Sequence, residues 1–221
     1  MRAKIGFDVP FEPFGLLEQG KPAGLLIDLV AALFDHAGVP YEFVSMTLAE
    51  TENALLGGRV DALAYKGITP ERLKTMIFSA PLLISGGAIF TRAGAPNTGQ
   101  PVALDGKTVV TPRKGPLWTN IETKHPTIRL LDGDSYEGSF AALLDGRADA
   151  AALNLHAGIA IAKRLHPGRL ELPTTPYAEL PIAFAIATNG PRPLVEAIDA
   201  ALPEIRANGT FQRLHDRWLG A

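Results

Sequence analysis

Hydrophobic and polar positions along this chain follow two interleaved periods. Residues 4–8 (KIGFD) are mostly apolar over a strand's length, and residues 28–37 then place Leu29, Val30, Leu33 and Phe34 at helical spacing, with Gly38 as a stop. The same alternation continues: a strand over 41–45, a helix over 47–56 and a strand over 60–64, the order of a β-α-β series. Residues 69–72 (TPER) have the order of a helix start, with Thr69 as cap and Pro70 in the first turn. Further strands are expected at 88–91, within the turn-and-strand segment 104–110, and at 128–131, 148–153 and 181–187. Residues 111–118 read as a loop. Helices are expected near 139–144 and 154–165, followed by two terminal helices over 194–208 and 210–219. The last presents Phe211, Leu214 and Trp218 as a core-facing stripe.

Within this pattern one phrase recurs. Residues 54–62 (ALLGGRVDA) and 142–150 (ALLDGRADA) carry the same Gly-Arg-x-Asp-Ala core, 88 residues apart. Each reads as a helix end passing through a turn into a strand, with Gly58 and Gly146 free to take the positive φ that ends a helix. Two such units predict two similar lobes, and a cleft between lobes is where a small ligand binds. The expected crossings lie near 89–92 and in 182–187, which divides the chain into one lobe of 1–90 plus 187–221 and a second of 91–186.

Composition narrows the function. Of 221 residues, 47 % are hydrophobic, enough for one substantial core or two smaller ones. A net charge of −2 without long runs of one sign gives no basic stripe for nucleic acid. Cysteine is absent, and five scattered histidines lack metal-ligand spacing, so neither metal nor cofactor is implied. No segment is long and apolar enough to span a membrane, and the first residues lack the apolar centre of a signal peptide. Either the protein is cytoplasmic or its export signal is missing from this sequence.

Several motifs in order resemble the periplasmic solute-binding proteins of family 3, the type II group that serves ABC importers of polar amino acids. They are residues 6–8 (GFD) with 11–14 (FEPF), 24–29 (GLLIDL), 58–62 (GRVDA), 68–72 (ITPER) with 78–81 (FSAP), and 208–212 (NGTFQ). The resemblance covers nearly the whole chain. It implies a two-lobed α/β fold joined by two crossing strands, an amino-acid-like ligand held between the lobes, a periplasmic location, a monomer that closes as a hinged clamp, and ABC transporter membrane subunits as partners. Arg72 matches the position that holds the ligand carboxylate, which suits the fixed fork of a guanidinium. Phe11 matches an aromatic placed against the ligand side chain, the alternative being simple core packing. Asp8 matches a position that sometimes contacts the distal part of a basic ligand, or else it satisfies its own loop.

Departures from the family pattern fall in the expected site. Asn154 stands where amino-acid binders carry an Asp for the ligand ammonium, and an amide cannot neutralise that charge. Gly67 replaces a Ser or Thr hydroxyl, and Leu48 replaces an aromatic. Gly115 is followed by Pro116 and Leu117, where the family offers hydroxyls and a backbone donor that proline lacks. In their place Tyr65 has an OH to offer, and Lys66 either adds a second positive charge or is solvated. Trp118 either covers a ligand or anchors the second lobe. The ligand expected from these changes is a small carboxylate that is not an ordinary α-amino acid, or an amino acid held in a modified way.

Two rivals share the fold. Cyclohexadienyl dehydratases need a general acid of raised pKa, for which Glu171, among apolar neighbours in 170–173 (LELP), is the candidate, against an exposed loop glutamate as the alternative. Sensory domains of kinases and receptors use the same clamp attached to other domains. The chain ending directly after its last helix favours a free-standing protein.

Overall fold

The strand and helix alternation is realised in a computed structural model that describes residues 2–96, 99–113 and 116–220. Contacts divide the chain into two units, Met1–Ile84 with Leu180–Ala221, and Ser85–Glu179. Two ten-residue strands, β7 (Leu83–Arg92) and β12 (Ala178–Ala187), carry the chain from one unit to the other. The divisions fall near the start of each strand, six and seven residues before the expected 90/91 and 186/187. The reason is pairing: β7 residues 87–90 already bond within the second unit, and β12 residues from 182 bond within the first.

The first unit is built on β1 (Ala3–Asp8), flanked by β4 (Tyr41–Met46) and β5 (Ala62–Gly67), all three parallel. Strand β12 runs antiparallel to β5, and the short β6 (Met76–Phe78) pairs with β12. A hairpin of β2 (Leu16–Glu18) and β3 (Lys21–Ala23), not foreseen from the pattern, leads into helix α1 (Leu25–Ala37), which ends on Gly38 at φ 66°. Helix α2 (Leu48–Leu56) opens with a capping box: the Thr47 hydroxyl and backbone N–H both meet Glu50 Oε2. Helices α6 (Arg192–Ala207) and α7 (Thr210–Leu219) close the chain. Side chains alternate across the sheet. Ile5, Phe7, Ala62 and Ala64 join one apolar core with α1 and α6, while Leu63 joins a second with Leu55 and Val60. Burial on both faces is what the mostly apolar strands predict. In α7, Phe211 and Leu214 pack against the core, but Trp218 instead donates its Nε1–H to Asp28 at 2.8 Å.

The second unit repeats the scheme with β8 (Thr108–Thr111) between β9 (Arg129–Asp132) and β10 (Ala150–Asn154), all parallel, and β7 antiparallel to β10. A two-residue strand β11 (Leu170–Glu171) pairs with β7. Its helices are α3 (Pro116–Lys124), α4 (Tyr136–Leu144) and α5 (Leu155–Leu165). Helix α3 corrects the expected loop over 111–118: a proline is tolerated at a first helical position, where no intrahelical N–H bond is required. Strand faces again alternate, Ala151 and Leu153 facing one core and Ala150 and Ala152 the other.

The recurring phrase performs one task twice. After α2, Gly58 takes φ 71°, its N–H bonds to Leu55 and that of Arg59 reaches back to Ala54. After α4, Gly146 takes φ 77°, with Gly146 to Leu143 and Arg147 to Ala142. Each is a left-handed helix stop that satisfies the last carbonyls. The aspartates that follow anchor the neighbouring strand, Asp61 accepting from Lys4 N–H and Asp149 from Thr108 N–H, both at 2.8 Å.

Candidate functional site

In open α/β sheets ligands bind beyond the carboxyl ends of the parallel strands. In the first unit those ends carry Asp8 on β1 and Lys66 and Gly67 on β5. Tyr65 is buried and donates its hydroxyl to the Asp8 backbone carbonyl at 2.8 Å, so the OH expected to serve a ligand is already committed. Burial, with the Asp8 charge adding to it, holds the Tyr65 phenol well above its ordinary pKa. Its ring also lies beside Phe11, which packs edge-on to Phe14 at 5.1 Å between ring centres and remains half-buried.

Lys66 is not solvated. It is 4 % exposed and donates to the Thr51 hydroxyl on α2. Burial lowers its pKa, the Asp8 charge opposes that, the Arg72 guanidinium lowers it further, and Glu52 again opposes. Asp8, 5 % exposed, is pushed up by burial against the lowering pull of Lys66, its own backbone and Arg72. Lys66 is therefore no uncompensated second cation: its charge is set against Asp8 in a poorly hydrated place.

Arg72 stands in a single 3-10 turn, Arg72–Lys74, rather than the start of a longer helix, because the chain turns at Thr75 into β6. The expected cap is formed, the Thr69 hydroxyl accepting the Arg72 N–H at 3.3 Å. The guanidinium is half-buried. Nη1 donates to the Gly67 carbonyl at 2.9 Å, and Nε and Nη2 both lie 3.0 Å from Glu52 Oε1. Among the described residues these contacts engage three of its five donors and leave one on each Nη, groups of the kind that pair with carboxylate oxygens.

A Cβ at Gly67 would lie 2.9 Å from a methyl of Leu180, so the family's hydroxyl-bearing side chain fits there only if that methyl shifts. Leu48, the first residue of α2, is 63 % exposed.

The second unit holds the remaining expected residues. Asn154 is buried as the N-cap of α5, its Oδ1 accepting from His156 and Ala157 N–H at 3.1 and 3.2 Å. Its Nδ2 donates to Ser85 Oγ at 2.9 Å, and Ser85 Oγ also meets His156 Nδ1 at 2.9 Å. The amide expected to face a ligand ammonium is thus engaged within the unit, because an Asn at a helix start satisfies free backbone donors. Trp118 lies on α3 with the Arg113 guanidinium 5.4 Å from its ring centre. Leu117 packs over Gly87, where a Cβ would sit 2.5 Å away. Gly115 lies outside the described residues. Glu171 is exposed on β11, without the apolar enclosure that the expected general acid requires.

Sequence reasoning missed Thr51 and Glu52, which bond Lys66 and Arg72, and Ser85, which bonds Asn154. A signal existed for Thr51, which falls at helical spacing with Ala54 and Leu55 on the face of α2 that is buried, and so is a polar residue on an apolar stripe. Among the described residues no group of three metal-ligating side chains occurs, and no helix is long and apolar enough to cross a membrane.

Comparisons with known proteins agree with this architecture. The chain is 25 % identical to the ABC transporter arginine-binding protein 1 of Escherichia coli K12, over 98 % of this chain and 90 % of that protein. It is 24 % identical to the virulence sensor protein BvgS of Bordetella pertussis Tohama I, over 96 % of this chain but only 17 % of the sensor. Among solved structures, an ancestral cationic amino acid solute binding protein superposes with a TM-score of 0.82 at 26 % identity, covering 99 % of this chain and 95 % of that one. The fold is the type II periplasmic-binding-protein fold, two α/β lobes linked by two crossing strands. The family model of the bacterial extracellular solute-binding proteins, family 3, matches residues 3–221, and the chain belongs to that family.

Proposed function

We propose that this chain is an extracytoplasmic solute-binding protein of an ABC importer that captures a small carboxylate or amino-acid-like ligand. The observation that carries the reading is Arg72. It is a half-buried guanidinium beyond the strand ends of the first unit, oriented by Gly67 and Glu52, with two N–H donors left over among the described residues. A carboxylate is the group that such a fork fits, and the relatives' names, arginine-binding and cationic amino acid binding, place that group on their ligands. Capture is proposed as hinge closure about β7 and β12, the ligand shifting an open and closed equilibrium by its preference for the closed form. The monomeric state and the transporter membrane subunits as partners belong to the same proposal.

A thermal-shift series with amino acids, dicarboxylates and aromatic acids, run on wild type and Arg72→Ala, tests it. Saturable stabilisation of wild type that disappears in the variant is expected. Stabilisation that survives in Arg72→Ala removes Arg72 from the site, and no response to any carboxylate sinks the reading.

The match to BvgS, a sensor in which this chain's counterpart is a small part of the whole, supports a sensory domain as the second reading. Reconstituted transport in vesicles containing the importer's membrane subunits separates the two.

A further inference from the structure

An α-amino acid presents a carboxylate and an ammonium on the same carbon, so its grip needs a cation and an anion side by side. The anion that the family pattern places at 154 is absent, and the one side-chain acceptor of Asn154, its Oδ1, already takes two backbone donors of the α5 N-terminus while Nδ2 donates to Ser85. Asp8 is no substitute, being buried and set against Lys66. Glu52 differs from both. It lies on α2, its side chain is 42 % exposed, and its Oε1 takes both Arg72 contacts while Oε2 has no hydrogen bond among the described residues. A carboxylate has about four acceptor sites, so Glu52 retains capacity for an ammonium while holding Arg72.

The charges add a second reason. Asp8, Glu52, Lys66 and Arg72 balance, two of each sign. A lone carboxylate on Arg72 leaves one negative charge unmatched in a partly desolvated place, whereas a zwitterion adds none. We propose that Glu52 is the specificity-determining residue that receives the ammonium of an amino-acid ligand whose carboxylate sits on Arg72, the role that an acidic residue at 154 would otherwise fill. The proposal rests on the carboxylate reading of Arg72.

The test compares L-glutamine with glutaric acid monoamide, the same molecule without its amino group, by calorimetric titration of wild type, Glu52→Gln and Arg72→Ala. Wild type is expected to prefer glutamine by about tenfold or more, and Glu52→Gln to bring the two within about twofold, chiefly by losing glutamine affinity. Arg72→Ala is expected to lose both compounds. A preference unchanged in Glu52→Gln, or glutamine bound more tightly by it, overturns the role of Glu52 and leaves Arg72 standing. Affinities unaffected by Arg72→Ala overturn the carboxylate reading itself, and binding of neither compound by wild type at millimolar concentration overturns both. Glu52 is half exposed, and unchanged circular dichroism of its variant separates a binding effect from a folding one.

Discussion

The Tyr65 hydroxyl lies 2.8 Å from the backbone carbonyl of Asp8, tying the end of β5 to the end of β1 inside the core of the first unit. Tyr65 thereby fixes the strand end that carries Asp8, and Gly15 makes space for it: a Cβ at Gly15 would collide with the phenol. Tyr65→Phe removes the donor and leaves a buried carbonyl without it. The expected cost is about 1–3 kcal/mol in urea unfolding. A loss below about 0.5 kcal/mol would mean that the carbonyl finds another partner.

Asp8 and Lys66 give the site a pH signature. The Asp8 carboxyl is raised in the fold above 3.8 by burial, so the native state holds its proton longer than the unfolded chain does. Its contribution to stability is then complete below pH 3.8 and is lost as pH rises through the folded-state value. The stability of wild type relative to Asp8→Asn is therefore expected to be highest in acid and to fall as pH rises from 3.8 through the folded-state value. An advantage that grows with pH there would contradict the direction assigned to Asp8.

The same pair predicts non-additivity. Lys66→Met leaves a buried carboxylate without its foremost opposing cation, and Asp8→Asn leaves a buried ammonium with the Thr51 hydroxyl and the weaker pull of Glu52. The double variant is expected to be more stable than the sum of the two losses implies, by about 1 kcal/mol or more in a double-mutant cycle. Strict additivity would mean the two charges do not sense each other.

Asn154 separates helix capping from ligand binding. Aspartate caps a helix as well as asparagine does and suits the helix N-terminus, so Asn154→Asp should stay within about 1 kcal/mol of wild type despite losing the donation to Ser85. Asn154→Ala should cost about 1–2 kcal/mol. Thermal unfolding of the two variants checks the ordering, and equal losses would show that the Ser85 bond, not the cap, carries the residue.

Gly67 gauges the packing that replaced the family's hydroxyl. Gly67→Ser forces Leu180 from its place and is expected to cost about 1–3 kcal/mol. A neutral Gly67→Ser that also improves carboxylate affinity would show that Leu180 yields easily.

Local order was legible along the chain because it rests on short-range physics. The period of apolar residues marked strands and helices, the stops at Gly38, Gly58 and Gly146 needed only a residue tolerant of positive φ, and the repeated phrase revealed two similar units before any contact was known. Where the local rule had two outcomes, as in 111–118, the reading failed: proline opens helices as readily as it occupies loops, and α3 begins on Pro116.

What each polar side chain does was decided only by tertiary structure. Tyr65, Lys66, Arg72 and Asn154 stand out along the chain, yet their partners lie far away in sequence: Asp8, Thr51, Glu52 and Ser85, at separations of 57, 15, 20 and 69 residues. A hydrogen bond of about 3 Å depends on register and helix rotation to a fraction of a turn, which no hydrophobic period specifies. The sequence determined the family, the two units and the positions of the charges. The fold determined which charges neutralise one another and which donors remain for a ligand, because only packing sets distance, burial and the competition between partners.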